Sequence, residues 1–286
     1  MTNILGSSFI GGHTNQLILP NIPLSNDGVV LLAVGINIPG GGGSISNVSD
    51  NFGNKYNEIG TVVYQEGCEL HVFIADETPP GSLNVIVDFT ISGPVAAAVV
   101  VLDDDVYGAV DLLGNGSSGF VSNISDSVST RISNDLVVLA AAYVYSPNEQ
   151  LNPGSNLSII QQGSSGNNNA TDVGLVIGAY VAGSPGVQSP YYTFSGPTNP
   201  WTAFAFSLTS PGSEGGEEAG GSFIGKEYQE PYSYLFDSDV KYVIPAVPTN
   251  LGDKISVASA PVSPPQPVLP PVIVNPKTRA TGYMGG

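Results

Sequence analysis

Four continuous apolar runs limit what this chain can become. They are Asp27–Ile38 (DGVVLLAVGINI), Pro94–Leu102 (PVAAAVVVL), Asn134–Tyr145 (NDLVVLAAAYVY) and Val173–Ala182 (VGLVIGAYVA). Each has the length of a buried strand, and each is bracketed by Gly, Pro, Asn or Asp. None reaches the length of a membrane-spanning helix. Between them lie stretches that alternate. In Glu69–Asp76, Leu70, Val72 and Ile74 face one way and His71 and Phe73 the other; in Leu83–Thr90, Leu83, Val85, Val87 and Phe89 oppose Asn84, Ile86 and Asp88.

Further strands are predicted at Gln16–Leu19, Tyr56–Gln65, Leu157–Gln161, Tyr191–Phe194 and Trp201–Leu208. One or two edge strands are expected in the polar segment that ends at Ser133, and the Gly40–Gly43 run reads as a flexible loop. Eleven or twelve strands at this spacing predict an all-β chain, an antiparallel β-sandwich of jelly-roll-like character over residues 1–210. Composition agrees: Gly (36) and Pro (23) make up about a fifth of 286 residues and charged residues only 11%, which opposes a helical bundle.

Residues 211–221 (PGSEGGEEAGG) form an acidic, Gly-rich linker, and residues 222–286 are a different material. Ten of the 23 prolines fall there, culminating in Pro261–Pro271 (PVSPPQPVLPP), which reads as polyproline II. Unlike a solvated tail, this segment keeps Phe223, Tyr228, Tyr232, Tyr234, Phe236 and Tyr242. We read it as an extended arm whose aromatics anchor it on a neighbouring subunit and whose prolines lower the entropy lost on docking.

Charge excludes some functions. The net charge is −17, and seven Lys and Arg cannot track a phosphate backbone, so neither nucleic acid nor an anionic membrane is an expected partner. The one cysteine, Cys68, reads as a small buried hydrophobe, and no disulfide framework is possible within the chain. The N-terminus shows neither a basic region nor a sustained apolar one, so no secretory signal is expected.

Nothing rises to a catalytic signature, and no cofactor or metal is expected. Gly114-Asn-Gly116-Ser-Ser-Gly119 matches GxGxxG, but Phe120–Thr130 after it is rich in Ser and β-branched residues and does not read as the required helix. Asp103, Asp104 and Asp105 could offer oxygen ligands to Ca²⁺, yet consecutive strand residues point alternately; they read as a solvated turn. His13 and His71 are the only histidines, and no GxSxG elbow accompanies them. Tyr191, Tyr192 and Trp201 could stack a sugar, although the closing strand places Trp201, Ala203 and Ala205 on one face, the pattern of a core.

The order of strands adds a resemblance. The series DGVVLLAVGI, YNEIGTVVYQ, ELHVFIAD, LNVIVDFT, PVAAAVVVLD, NDLVVLAAAYV, GLVIGAYVA and PWTAFAFSLT resembles the β-sandwich modules of bacteriophage virion proteins and some bacterial surface proteins. It covers roughly residues 15–210 and consists of strand grammar, so it implies no site residues. It implies a non-enzymatic structural virion protein, either capsid decoration (cement) or a tail or fibre component. Such a protein assembles in the host cytoplasm and partners with its own copies and with capsid or tail proteins. The alternative is a carbohydrate-binding module that recognises surface glycans.

Overall fold

A computed structural model describes residues 4–210, apart from 39–43, 65–67, 109, 146–149, 155, 167–170 and 197. The Gly40–Gly43 loop, the linker and the whole arm lie outside the described residues. Those described form seventeen strands with no helix among them, and every pairing is antiparallel.

Six strands build the first half: β1 (Ile4–Leu24), β2 (Gly28–Asn37), β3 (Ile45–Asp50), β4 (Asn57–Val63), β5 (Cys68–Thr78) and β6 (Gly81–Asp103). β1 and β6 pair along nearly their whole lengths as one ribbon. The register breaks where Thr14 faces Gly93 and Gln16 faces Asp88, so β6 carries extra residues at that corner and the ribbon bends. Beyond the bend, Leu17, Leu19, Ile22, Leu83, Val85, Val87 and Phe89 fold over one face of β2 and β5 and bury Val30, Leu32, Val34, Ile36 and Phe73. The two layers are therefore β1–β6–β2–β5–β4 and, past the corner, β1–β6–β3. That is a jelly roll with continuous corner strands.

The second half repeats this scheme in shorter pieces. Its strands are β7 (Val110–Leu113), β8 (Ser117–Gly119), β9 (Asn123–Ser125), β10 (Val128–Thr130), β11 (Leu136–Val144) and β12 (Leu151–Pro153). They continue as β13 (Ser158–Ser164), β14 (Val173–Val181), β15 (Gly186–Gln188), β16 (Tyr191–Phe194) and β17 (Trp201–Leu208). β17 joins β7 and β8 to β11, which continues to β14 and β13, while β9, β10, β12, β15 and β16 form the outer layer. Element for element, β11 takes the place of β2, β14 of β5, β13 of β4, β12 of β3, and β15 to β17 of β6. The sandwich expected over residues 1–210 thus consists of two rolls.

The rolls pack through their inner sheets. Leu31, Ala33, Leu70, Val72, Ala98 and Val100 of the first meet Val138, Ala140, Leu175, Ile177, Phe204 and Phe206 of the second in an apolar interface. The opposite faces of these same strands line the two sandwich cores. Burial on both faces is the reason the four runs are continuously apolar rather than alternating. Small residues bring the sheets close: a Cβ on Gly35 would lie 3.1 Å from Val173 and 3.2 Å from Ala142.

Two sequence expectations need adjusting. The first strand begins at Ile4, not Gln16, because the Gly- and Ser-rich start pairs with the apolar second half of β6. The segment before Ser133 holds four short strands, each covering β15, β16 or β17. The shared opening Ser-Asn-Asp also conceals a slip: Val29 faces the interface between rolls, whereas Val137 faces the second sandwich core.

Candidate functional site

In the first roll β3 pairs with β6 and β4 with β5, and the sandwich opens between β3 and β4. The opening is a cleft of about 480 Å³ lined by Ser44–Val48, Tyr56, Glu58, His71 and Phe73. Strand alternation points His71 and Phe73 into it while Leu70 and Val72 pack between the rolls. The imidazole is bracketed by carboxylates: Nδ1 lies 2.7 Å from Glu58 Oε1 and Nε2 3.5 Å from Glu69 Oε2. Thr61 Oγ1 donates to Glu58, and His71 stacks on Phe73 at 6.5 Å between centroids.

A turn built on Asp50 holds the remaining side of the cleft. Its Oδ1 accepts the amides of Phe52, Gly53 and Asn54, and its Oδ2 accepts Asn54 Nδ2 and the Tyr56 hydroxyl at 2.9 Å. Burial, then the charge of Asp50 and its hydrogen bond, push the Tyr56 phenol far above its ordinary range, so it remains a neutral donor. The cleft therefore offers hydroxyls, an amide, a carboxylate and rings, a set suited to an uncharged polar ligand.

The second roll is narrower in the same place: the pocket between β12 and β13, lined by Gly154, Asn156, Leu157, Tyr180 and Tyr191, holds about 70 Å³. By register, Val176 and Gly178 of β14 stand where β5 has His71 and Phe73; Tyr192 lies against Gly178, and the Tyr143 ring covers Gly174 at the position of Glu69. The Tyr192 hydroxyl donates to the Leu139 carbonyl at 3.0 Å, and Tyr192 is wholly buried. Trp201 is 5% exposed and donates Nε1–H to the Val121 carbonyl. Tyr192 and Trp201 thus belong to the core and present no ring to a sugar; of the three aromatic candidates only Tyr191, 40% exposed, reaches the surface. The arm anchors Phe223, Tyr228, Tyr232, Tyr234, Phe236 and Tyr242 lie outside the described residues.

The two rolls run in parallel, so their ends coincide. Gly35 near the end of β2 lies against Ala142 near the end of β11, and Gly108, just past β6, donates its amide to Thr209, just past β17. Asp27, Asp103, Asp104, Asp105, Asp111 and Asp135 gather at the pole where β2 and β11 begin. Asp103, Asp104 and Asp105 bring their oxygens within 4.8 Å of one another, at the surface, as a turn would. Burial, then the charges of Asp105, Asp27 and Asp103, hold the Asp104 carboxyl above its usual range. Near the other pole His13 Nε2 of the first roll lies 2.6 Å from Oδ1 of the buried Asp172 of the second.

Sequence reasoning placed His71 on its correct face but did not join it to Glu58 thirteen residues earlier; only the β4–β5 register does that. Comparison of the chain with known protein families, characterised proteins and solved structures finds no match.

Proposed function

We propose that this chain is a non-enzymatic structural protein of a virus particle, a capsid decoration (cement) or tail or fibre component. It assembles with its own copies and with capsid or tail proteins. The observation that carries this reading is the fusion of two jelly rolls through an apolar interface. It spends the inner face of each roll on rigidity and leaves surfaces rich in hydroxyl and amide groups outward. The chain then devotes residues 222–286 to an arm with aromatic anchors and prolines, the composition of a segment that clamps neighbours. The test is sedimentation of native source material with this polypeptide tracked by mass spectrometry. Fixed stoichiometry on a megadalton particle, lost on deletion of 222–286, is the expected result; a small, soluble monomer would refute the reading.

A second reading, recognition of surface glycans, is favoured by the cleft of the first roll, about 480 Å³ against about 70 Å³ for the pocket between β12 and β13 of the second. Glycan-array binding that disappears in His71→Ala and Tyr56→Ala, but survives in Tyr191→Ala, would support it.

A further inference from the structure

The cleft between β3 and β4 has two unlike sides. The β3 side brings Ser44, Ser46 and Asn47, all exposed; the β4–β5 side brings Glu58 and the rings of Tyr56 and Phe73. His71 also lines the cleft but presents neither nitrogen to a ligand. Its Nδ1 is held 2.7 Å from Glu58 Oε1, and its Nε2 is buried without a hydrogen bond. The imidazole instead fixes Glu58. Thr61 donates to the same Oε1, so two groups anchor one oxygen of that carboxylate while the side chain stays 43% exposed. The other oxygen is left as an acceptor whose orientation is already set.

Charge narrows what can enter. No Lys or Arg lines the cleft. Lys55, the one base among the described residues of the first roll, precedes Tyr56 in sequence but is not part of the lining. Asp88 accepts Asn47 Nδ2 at 3.3 Å and Glu69 lies 3.5 Å from His71, so further carboxylates stand behind Glu58. An anion would lose water there with no cation to replace it. A neutral ligand loses far less and gains the Glu58 acceptor, because hydrogen bonds to a charged group are the strong kind. The opposite hydroxyls and amide suit further hydroxyl groups, while Tyr56 and Phe73 offer apolar surface to C–H faces. An uncharged sugar carries both kinds of face on one ring. The volume of about 480 Å³ lies towards the lower end of the range for small-molecule sites, about 300–1,000 Å³, and suits one or two rings.

We infer that the cleft is a site for uncharged sugars and rejects sialic and uronic acids, with Glu58 accepting ring hydroxyls and His71 as its positioning residue. The inference rests on the glycan reading above and adds the class of sugar and the residue that selects it.

The experiment is a glycan array probed with the full chain, carrying neutral, amino and acidic glycans side by side, then titration calorimetry of the strongest neutral binder. Neutral glycans should bind, and their sialylated or uronate counterparts should not. Glu58→Gln, equal in size, should weaken the neutral binder about 10–100-fold, with an unchanged Tm as the check on folding. His71→Asn keeps a donor where Nδ1 stands and should bind better than His71→Ala. Ser46→Lys, a surface change that the fold tolerates, should move the response towards acidic glycans. Preference of the native chain for acidic or amino glycans overturns this inference and leaves the glycan reading standing. Neutral binding unaltered in Glu58→Gln, or a response that Ser46→Lys leaves unchanged, does the same. The absence of any glycan binding overturns both.

Discussion

Individual carboxylates organise this protein more than ion pairs do. Asp50 satisfies five donors with two oxygens, and its turn includes Gly53 at φ +79°, a conformation that a side chain would strain. Asp50→Ala strands those donors, and we expect a loss of about 2–4 kcal/mol in urea denaturation, since hydrogen bonds to charged groups are the strong ones. Cys68 makes the opposite kind of statement. It is wholly buried, and burial is the main cause that pushes its thiol from 9.0 up to about 12. The unfolded chain gives up that proton near pH 9 while the native chain keeps it to about 12. Stability contributed by the neutral thiol is therefore present below pH 9 and is lost as pH rises through that window. Denaturation midpoints at pH 8, 10 and 11 should fall in sequence, and Cys68→Ala should flatten the first step. Native protein should also resist thiol-specific reagents at pH 8.

At the level of elements, what could be read from the sequence was decided by burial. The four apolar runs became β2, the second half of β6, β11 and β14, all covered on both faces, and the alternating runs became β5 and the first half of β6, with the expected residues inward. The closing strand likewise put Trp201, Ala203 and Ala205 on one face. What could not be read was pairing. Ile4–Thr14 has little strand character of its own and is extended because β6 offers it a partner. Asp111 and Asp135 likewise become neighbours only through β17, and Glu58 meets His71 only through the β4–β5 ladder. Gly35 tests how tightly the elements fit. In Gly35→Val the new side chain meets Val173 and Ala142 at little more than 3 Å. We expect a loss of about 1–3 kcal/mol from overpacking, measured by chemical denaturation, with secondary structure unchanged by circular dichroism.

For the molecule as a whole, the interface between rolls sets cooperativity. The inner sheets bury Leu31, Val72, Val100, Val138, Ile177 and Phe206 against each other. Neither half can expose that surface in water without a large hydrophobic cost. Residues 4–210 should accordingly melt in a single calorimetric transition. The first roll alone, residues 1–108, should aggregate or pair with a second copy through the same sheet, as size-exclusion chromatography with light scattering would show. A separate melting step for each roll, or a soluble monomeric 1–108, would contradict the packing described above.

The presence of two rolls in one chain also bears on direction. A body assembled from two identical subunits shows every feature twice and binds a partner equally well from either side. Here the two rolls share one chain and differ: among the described residues the first has the wider cleft, and the second carries the buried Asp111 and Asp135. Residues 222–286, too, occur once for every two rolls. An object with nearly two-fold architecture but single copies of its distinctive parts has a front and a back. A particle of the kind proposed above could therefore take it up in one orientation only, which a symmetric pair of rolls could not guarantee.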